Sequence, residues 1–183
     1  MATRMERRQE RRSLLRRDIV RLSILAAVLM ILLVIVKSFV FSFITVQGPS
    51  MLDTLSEGQI VMVDKTFFHM HNAKPGLIII CRFPDSEENY VKRIVALPGD
   101  EVEIKDGITY VNGVPRDEDY VHYRDYEDFG PYIVEEGCVF VMGDNRANSH
   151  DSRAEGAISE DRIVGRVFAV LFPAKDAHFL PVT

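Results

Sequence analysis

Ser50 is the first residue in this sequence whose surroundings suit covalent chemistry. It follows Gly48 and Pro49 in the run VQGPSMLDTL, from Val46 to Leu55. Glycine and proline together make a tight, stiff turn. Such a turn presents a hydroxyl and neighbouring backbone N–H groups to one point, which a serine nucleophile and its oxyanion hole both require. Taken alone, this pattern more often marks an ordinary turn.

Lys92 lies inside an apolar, strand-like run, Tyr90–Leu97. A lysine with an ordinary pKa of about 10.4 stays charged near neutral pH and cannot usefully accept a proton. Burial disfavours the ammonium form and lowers that pKa by up to several units. A buried, neutral Lys92 would take the proton of Ser50, as in Ser–Lys variants of the hydrolytic triad. The alternative is an edge lysine that points to solvent.

A polar run, GDNRANSHDSR at Gly143–Arg153, follows the apolar run Cys138–Met142. Its acids invite a calcium-loop interpretation, which Arg146 disfavours because it takes the third position of an EF-type loop. The consecutive residues Ser149-His150-Asp151 cannot form a triad, since neighbours in sequence do not point at each other. The run is nevertheless too rich in specific side chains for an ordinary turn.

Metal and cofactor binding have little support in the sequence. His69 and His71 stand close together, but no further ligand candidates lie beside them, so a solvated loop is the better interpretation. Cys81 and Cys138 are too few for a disulfide framework or a Cys-based zinc site, and we expect them to be small buried hydrophobes. Their pairing cannot be deduced. We therefore predict no metal and no cofactor.

The three segments together resemble the sequence boxes of bacterial type I signal peptidase, a membrane-bound serine endopeptidase that removes signal peptides. G-x-SM followed by TL is matched at Gly48–Leu55, KR-x-x-x-LPGD at Lys92–Asp100, and GDNR-x-x-S-x-D-S-R at Gly143–Arg153. The boxes occur in the family's order, and the pattern extends to about Val170. A single apolar span before a short domain resembles the form common in Gram-positive bacteria.

This resemblance implies that Ser50 is the nucleophile, that Lys92 is the general base and that Ser149 orients Lys92. It also implies residues that support the dyad by a close backbone approach or by charge pairs: Gly143, Asp144, Arg146, Asp151 and Arg153. The implied substrates are preproteins, cleaved through an acyl-enzyme after a small residue in an Ala-x-Ala site. The implied partners are signal peptides, the lipid bilayer and the neighbouring secretion translocon.

Two positions depart from the family pattern. Some members carry an oxyanion hydroxyl where this chain has Gly48, and many carry proline where this chain has Asp53. The backbone N–H of Ser50 is then one expected oxyanion donor, and the second donor stays open. Small side chains of the substrate need shallow apolar pockets, and the candidates flank the dyad in sequence: Val46, Met51 and Val91.

The elements that position these residues begin with a basic segment and an apolar run. Residues 1–21 hold eight arginines and three acids, whereas residues 38–183 hold 13 bases and 24 acids. Apolar residues run from Leu22 to Val46, interrupted mainly by Lys37, a length that spans a membrane. Because arginines favour the inner side, we predict a cytoplasmic tail over 1–21, a transmembrane anchor over 22–46 and an extracytoplasmic catalytic domain over 47–183. The acidic domain argues against a nucleic-acid partner.

Other interpretations stay open at this stage. The basic flank and the 15-residue apolar core over 22–36 are also typical of a cleaved signal peptide, although no Ala-x-Ala follows and apolarity continues. A buried core helix fits poorly with the arginines. For function, the alternatives are another Ser–Lys protease, such as a self-cleaving repressor, and a membrane-tethered binding domain with an inactive site.

Short β-branched runs alternate with turn residues beyond Val46. Seven of them predict strands: Gln59–Lys65, Leu77–Phe83, Tyr90–Leu97, Glu101–Lys105, Ile108–Val111, Cys138–Met142 and Ile163–Leu171. Asn112-Gly113 predicts a two-residue hairpin. The fold class is therefore mainly β, an all-β domain of coiled sheets or a partly closed barrel after one transmembrane helix. The segment Asp117–Asp128 predicts an exposed, solvated loop or an edge hairpin, and Phe67-Phe68 either docks on lipid or fills the core.

Overall fold

The structure is a computed structural model that describes residues 4–66, 72–84 and 86–180. Phe67, Phe68, His69 and His71 lie outside the described residues. The chain divides into two compact units, one ending at residue 40 and the other beginning at residue 41.

The first unit is a single helix, α1 (Arg4–Val40). Its segment Arg16–Ile35 is long and apolar enough to cross a membrane, and none of that segment is buried. The exposed side chains contradict the interpretation as a buried core helix. The helix ends six residues before the predicted end of the anchor at Val46, because the chain from Phe41 onward is extended and pairs in a sheet.

The second unit is mainly β, as the sequence predicts. Its described residues form twelve strands: β1 (Phe41–Thr45), β2 (Ile60–Asp64), β3 (Ile78–Cys81), β4 (Tyr90–Ala96), β5 (Glu101–Lys105), β6 (Ile108–Val111), β7 (Val114–Pro115), β8 (Phe129–Ile133), β9 (Cys138–Met142), β10 (Ile158–Ser159), β11 (Ile163–Phe172) and β12 (His178–Phe179). A four-residue helix, α2 (Ser152–Glu155), follows β9. All seven predicted strands are present, with ends within two residues of the prediction.

The strands form two antiparallel sheets. In the larger sheet the order is β1-β2-β11-β3-β4-β9-β10, with β12 paired to β11, and in the smaller sheet it is β7-β6-β5-β8. The larger sheet is open, since β1 and β10 end the path. The smaller sheet contains the predicted hairpin, in which Asn112 and Gly113 have φ of 54° and 74°, the left-handed values that a type I′ turn requires.

Among the strands that the sequence did not predict, β1 and β8 were missed for clear reasons. The residues of β1, FSFIT, continue the apolar run of α1 and were expected to belong to the anchor. The residues of β8, FGPYI, contain a Gly-Pro pair that predicts a turn. Proline is tolerated in β8 because that strand is the edge of the smaller sheet and pairs irregularly with β5.

The core lies on both faces of β3, which is buried along its length. Ile78 and Ile80 belong to one apolar cluster, while Ile79 and Cys81 belong to a second. This alternation follows from the period of two along a strand. A third cluster, around Phe140, lies where β9 meets the smaller sheet. The strands that carry the candidate site residues are thus held from several sides.

Candidate active site

Ser50 lies in the turn between β1 and β2. The base of this connection is closed by backbone hydrogen bonds between Val46 and the residues just before β2. Asn145, in the polar run after β9, holds this turn. Its backbone N–H donates to the Ser50 carbonyl at 3.0 Å, and its side-chain amide donates to the Pro49 carbonyl at 3.1 Å. The residue after the serine, Met51, is 1% exposed. The position of Ser50 is therefore set by the polar run that follows β9.

Lys92 is a buried residue of β4, with 2% of its surface exposed. Its Nζ donates a hydrogen bond to Ser149 Oγ at 3.1 Å. Burial lowers the pKa of Lys92 below its ordinary value, although the charge of Asp151 acts in the opposite direction. The interpretation as an edge lysine that points to solvent is wrong. This environment favours the neutral amine more than bulk water does.

Gly143 packs closely against both Ser50 and Ser149. A Cβ atom at this position would collide with the backbone carbonyl oxygen of Ser50 and with the hydroxyl of Ser149. Only glycine therefore permits the close approach of these three residues. Because Ser149 also holds Lys92, one compact cluster contains the candidate nucleophile, the candidate base and its hydrogen-bond partner.

Asp151 and Arg153 hold the back of this cluster. Asp151 accepts a hydrogen bond from the backbone N–H of Gly143 at 3.1 Å and two from the Arg153 side chain at 2.9 and 3.0 Å. Burial alone would raise the pKa of this carboxyl, but the adjacent guanidinium keeps it below its ordinary value. Arg153 also donates to Asp125 at 2.9 Å. Both residues thus take part in the charge pairing that the resemblance implies for them.

Asp144 pairs with Arg93. This arginine belongs to the motif KR-x-x-x-LPGD, but the sequence did not indicate its role. The Arg93 side chain donates to the two carboxylate oxygens at 2.8 and 2.6 Å. Thr54 Oγ1 donates to the same carboxylate at 2.5 Å. Asp144 is fully buried, so this pair ties the Ser50 segment, β4 and the polar run together.

Arg146 has a partner that the sequence did not indicate. Its side chain donates to both Glu118 carboxylate oxygens, at 2.9 and 2.7 Å, and to Thr109 Oγ1 at 2.7 Å. Glu118 is 6% exposed, so the solvated-loop prediction for Asp117–Asp128 is wrong at this residue. Nothing in the sequence distinguishes one buried acid from the exposed acids around it, so the burial of Glu118 could not be predicted.

A groove of about 620 Å³ opens beside Ser50, between β1 and the start of β4. β1 ends the larger sheet, and β9 pairs with β4 only from Arg93 onward, so neither wall has a further strand partner along its groove edge among the described residues. Of the three residues predicted to bind substrate, Val91 lines the groove. Val46 and Met51 are buried in the apolar cluster that also contains Val91.

The described residues contain no group of three or more His, Cys, Asp or Glu side chains placed to hold a metal ion. Cys81 and Cys138 are both free thiols. Cys81 is fully buried, and burial raises its pKa to about 12, so it behaves as an inert part of the core beside Lys92.

Comparisons with known proteins agree on one family. The profile of signal peptidase, peptidase S26, matches residues 16–172. The chain is 41% identical over 149 residues to signal peptidase I T of Bacillus subtilis, covering 75% of this chain and 77% of that protein. It is 34% identical over 156 residues to signal peptidase IB of Staphylococcus aureus, covering 75% and 81%. A crystal structure of a signal peptidase I from Enterococcus faecalis is 31% identical and covers 51% of this chain and 95% of that one, with a TM-score of 0.47.

Proposed function

The chain belongs to the signal peptidase family, peptidase S26, and we propose that it removes N-terminal signal peptides from preproteins, with Ser50 as nucleophile and Lys92 as general base. One observation carries the roles of these residues. A lysine with only 2% of its surface exposed has a serine hydroxyl as its hydrogen-bond partner, within the cluster that fixes the Ser50 backbone.

In the first half of the reaction, the neutral amine of Lys92 takes the Ser50 hydroxyl proton as Oγ attacks the scissile carbonyl. The tetrahedral intermediate collapses when the C–N bond breaks, and Lys92 gives its proton to the leaving amine. The product amine is the new N-terminus of the mature protein. The signal peptide stays attached to Ser50 as an ester.

In the second half, water attacks this ester while Lys92 takes one of its protons. The ester bond breaks, and Lys92 returns the proton to Ser50 Oγ as the signal peptide leaves with a new carboxylic acid group, which then loses its proton to water. Ser149 accepts a hydrogen bond from Nζ in the resting site. It thereby keeps the amine oriented through both half-reactions.

The backbone N–H of Ser50 is the proposed oxyanion donor. Within the described residues this group has no hydrogen-bond acceptor, which leaves it able to donate to a developing oxyanion. Gly48 has a φ of +75°, a value that serine rarely adopts. We therefore propose that the oxyanion hole of this chain is built without a hydroxyl at that position.

The groove supports a preference for extended substrates with small side chains. A strand placed between the edge of β1 and the start of β4 can pair with backbone groups on both sides. The side chains of Val46, Met51 and Val91 pack into the core beneath, with at most 9% exposed. We propose that they form the floor of shallow pockets for the two small residues of an Ala-x-Ala site.

The helix α1 supports a membrane anchor, and we propose that the protein crosses the cell membrane once. The eight arginines before residue 22 favour a cytoplasmic N-terminus. The catalytic domain is then extracytoplasmic and meets signal peptides as they leave the secretion translocon. Ser50 follows Val40 by only ten residues in sequence, so cleavage close to the membrane surface is expected.

The test is cleavage of a preprotein with an Ala-x-Ala site by the full-length protein in detergent. Wild type is compared with Ser50→Ala and Lys92→Met, and the new N-terminus of the product is sequenced. We expect mature product from wild type alone. Product from Ser50→Ala would show that another residue is the nucleophile, and no product from folded wild type would favour a tethered binding domain.

A further inference from the structure

The loop after β7 places two alternate residues, Glu118 and Tyr120, against the candidate active site. Glu118 is buried and contacts Arg146, and the Arg93 guanidinium lies 3.9 Å from the centroid of the Tyr120 ring. The Tyr120 hydroxyl donates to Glu118 at 3.0 Å. The loop therefore contacts two arginines of the site through one carboxylate and one ring.

Glu118 is connected to the catalytic cluster through two further contacts. It holds the end of the Arg146 guanidinium, and Arg146 Nε donates to the Gly143 carbonyl at 3.0 Å. Gly143 is the residue against which Ser50 and Ser149 pack. Because the Gly143 N–H is also held by a carboxylate, both ends of this residue are fixed by buried charges.

The arginines of the site are neutralised by nearby carboxylates. Each arginine has a carboxylate partner: Arg93 with Asp144, Arg146 with Glu118, and Arg153 with Asp151. Lys92 has a hydroxyl instead. The titratable and charged groups that act on Lys92 are the Cys81 thiol from β3 and, from the run after β9, Asp144, Asp151 and Arg153.

We propose that Glu118 is a positioning residue of this active site, acting through Arg146 on Gly143. Gly143 sets how closely the Ser50 backbone and the Ser149 hydroxyl approach, and Ser149 orients the base. The inference rests on the proposed function, since the groups that Glu118 positions are the nucleophile and the partner of the base in that reaction. Glu118 itself touches no reacting atom.

The test is the pH profile of kcat/KM for Glu118→Gln, with Asp119→Asn as control. The control removes the same charge from an exposed neighbour in the same loop. In Glu118→Gln we expect kcat/KM to fall at least about tenfold through kcat. Its acidic limb should move down by about half a pH unit or more, because a displaced Gly143 weakens the Lys92–Ser149 contact that helps to hold the ammonium. Glu118→Asp, which keeps the charge, should restore the limb.

Other outcomes are informative. The inference would be overturned if Glu118→Gln had the same kcat/KM and the same acidic limb as Asp119→Asn. It would also be overturned if kcat/KM fell while the acidic limb did not move, because that result indicates a stability effect alone. If Glu118→Gln does not fold, Glu118→Gln/Arg146→Met removes both buried charges. Wild-type kcat/KM in that folded variant would overturn the inference, and a rate at least about tenfold lower would support it. A wild-type protein that cleaves no preprotein would instead refute the proposed function.

Discussion

Lys92 and Arg93 are neighbours on β4 with opposite electrostatic environments. Arg93 donates to both oxygens of Asp144, whereas Lys92 donates to the Ser149 hydroxyl. Successive side chains of a strand point to opposite faces. The motif therefore places an arginine bound to a carboxylate on one face and a lysine bound to a hydroxyl on the other. The charge of Asp151 favours the ammonium form of Lys92, but burial outweighs it and lowers the pKa of Lys92. This arrangement suits Lys92 to act as a base.

The first prediction concerns pH. Because burial lowers the pKa of Lys92, the proposed base is charged and inactive at low pH and becomes active as pH rises through that lowered value. We expect the acidic limb of kcat/KM to lie below the ordinary pKa of a lysine, which is about 10.4. Preprotein cleavage rates measured across pH test this. An acidic limb at or above the ordinary value would contradict a neutral Lys92 at the start of the reaction.

The second prediction concerns Ser149. In Ser149→Ala the Lys92 amine loses its hydrogen-bond partner, so we expect kcat to fall by about 10- to 100-fold with little change in KM. Steady-state kinetics with a preprotein substrate measure both constants. Ser159→Ala is the matched control, because the Ser159 hydroxyl pairs with Asp161 away from this cluster. Equal kcat values in the two variants would remove Ser149 from the mechanism.

The sequence predicted the main strands and singled out residues that lie together in the candidate site, because apolar alternation and specific motifs are local signals. It did not predict the partners that come from distant segments. Glu118 lies in an acidic run that resembles a solvated loop, and only the fold shows that it meets Arg146. Likewise β1 follows the apolar helix without a change in composition, and its assignment to the sheet depends on pairing with β2.

The third prediction concerns stability. Asp144→Asn leaves the Arg93 guanidinium buried without its carboxylate, a change that typically costs about 3–5 kcal/mol of unfolding free energy. Urea denaturation followed by circular dichroism gives this value. The control is Glu103→Gln, which breaks the more exposed pair with Lys105 and should cost much less, because water screens exposed pairs. Similar losses of unfolding free energy in the two variants would mean that the buried pair stabilises the fold no more than the exposed pair does.

The fourth prediction concerns Gly143. Gly143→Ala places a methyl group against the Ser50 carbonyl and the Ser149 hydroxyl, and backbone atoms cannot rotate out of the way as a flexible side chain would. The two serines must therefore move apart. A displacement of about 1 Å in a catalytic site costs on the order of 100-fold in rate, and we expect kcat/KM to fall by at least that amount. The measurement is the cleavage rate of the variant, with its thermal unfolding followed in parallel. Wild-type rates in a folded Gly143→Ala protein would show that the close approach of these residues is not required for the reaction.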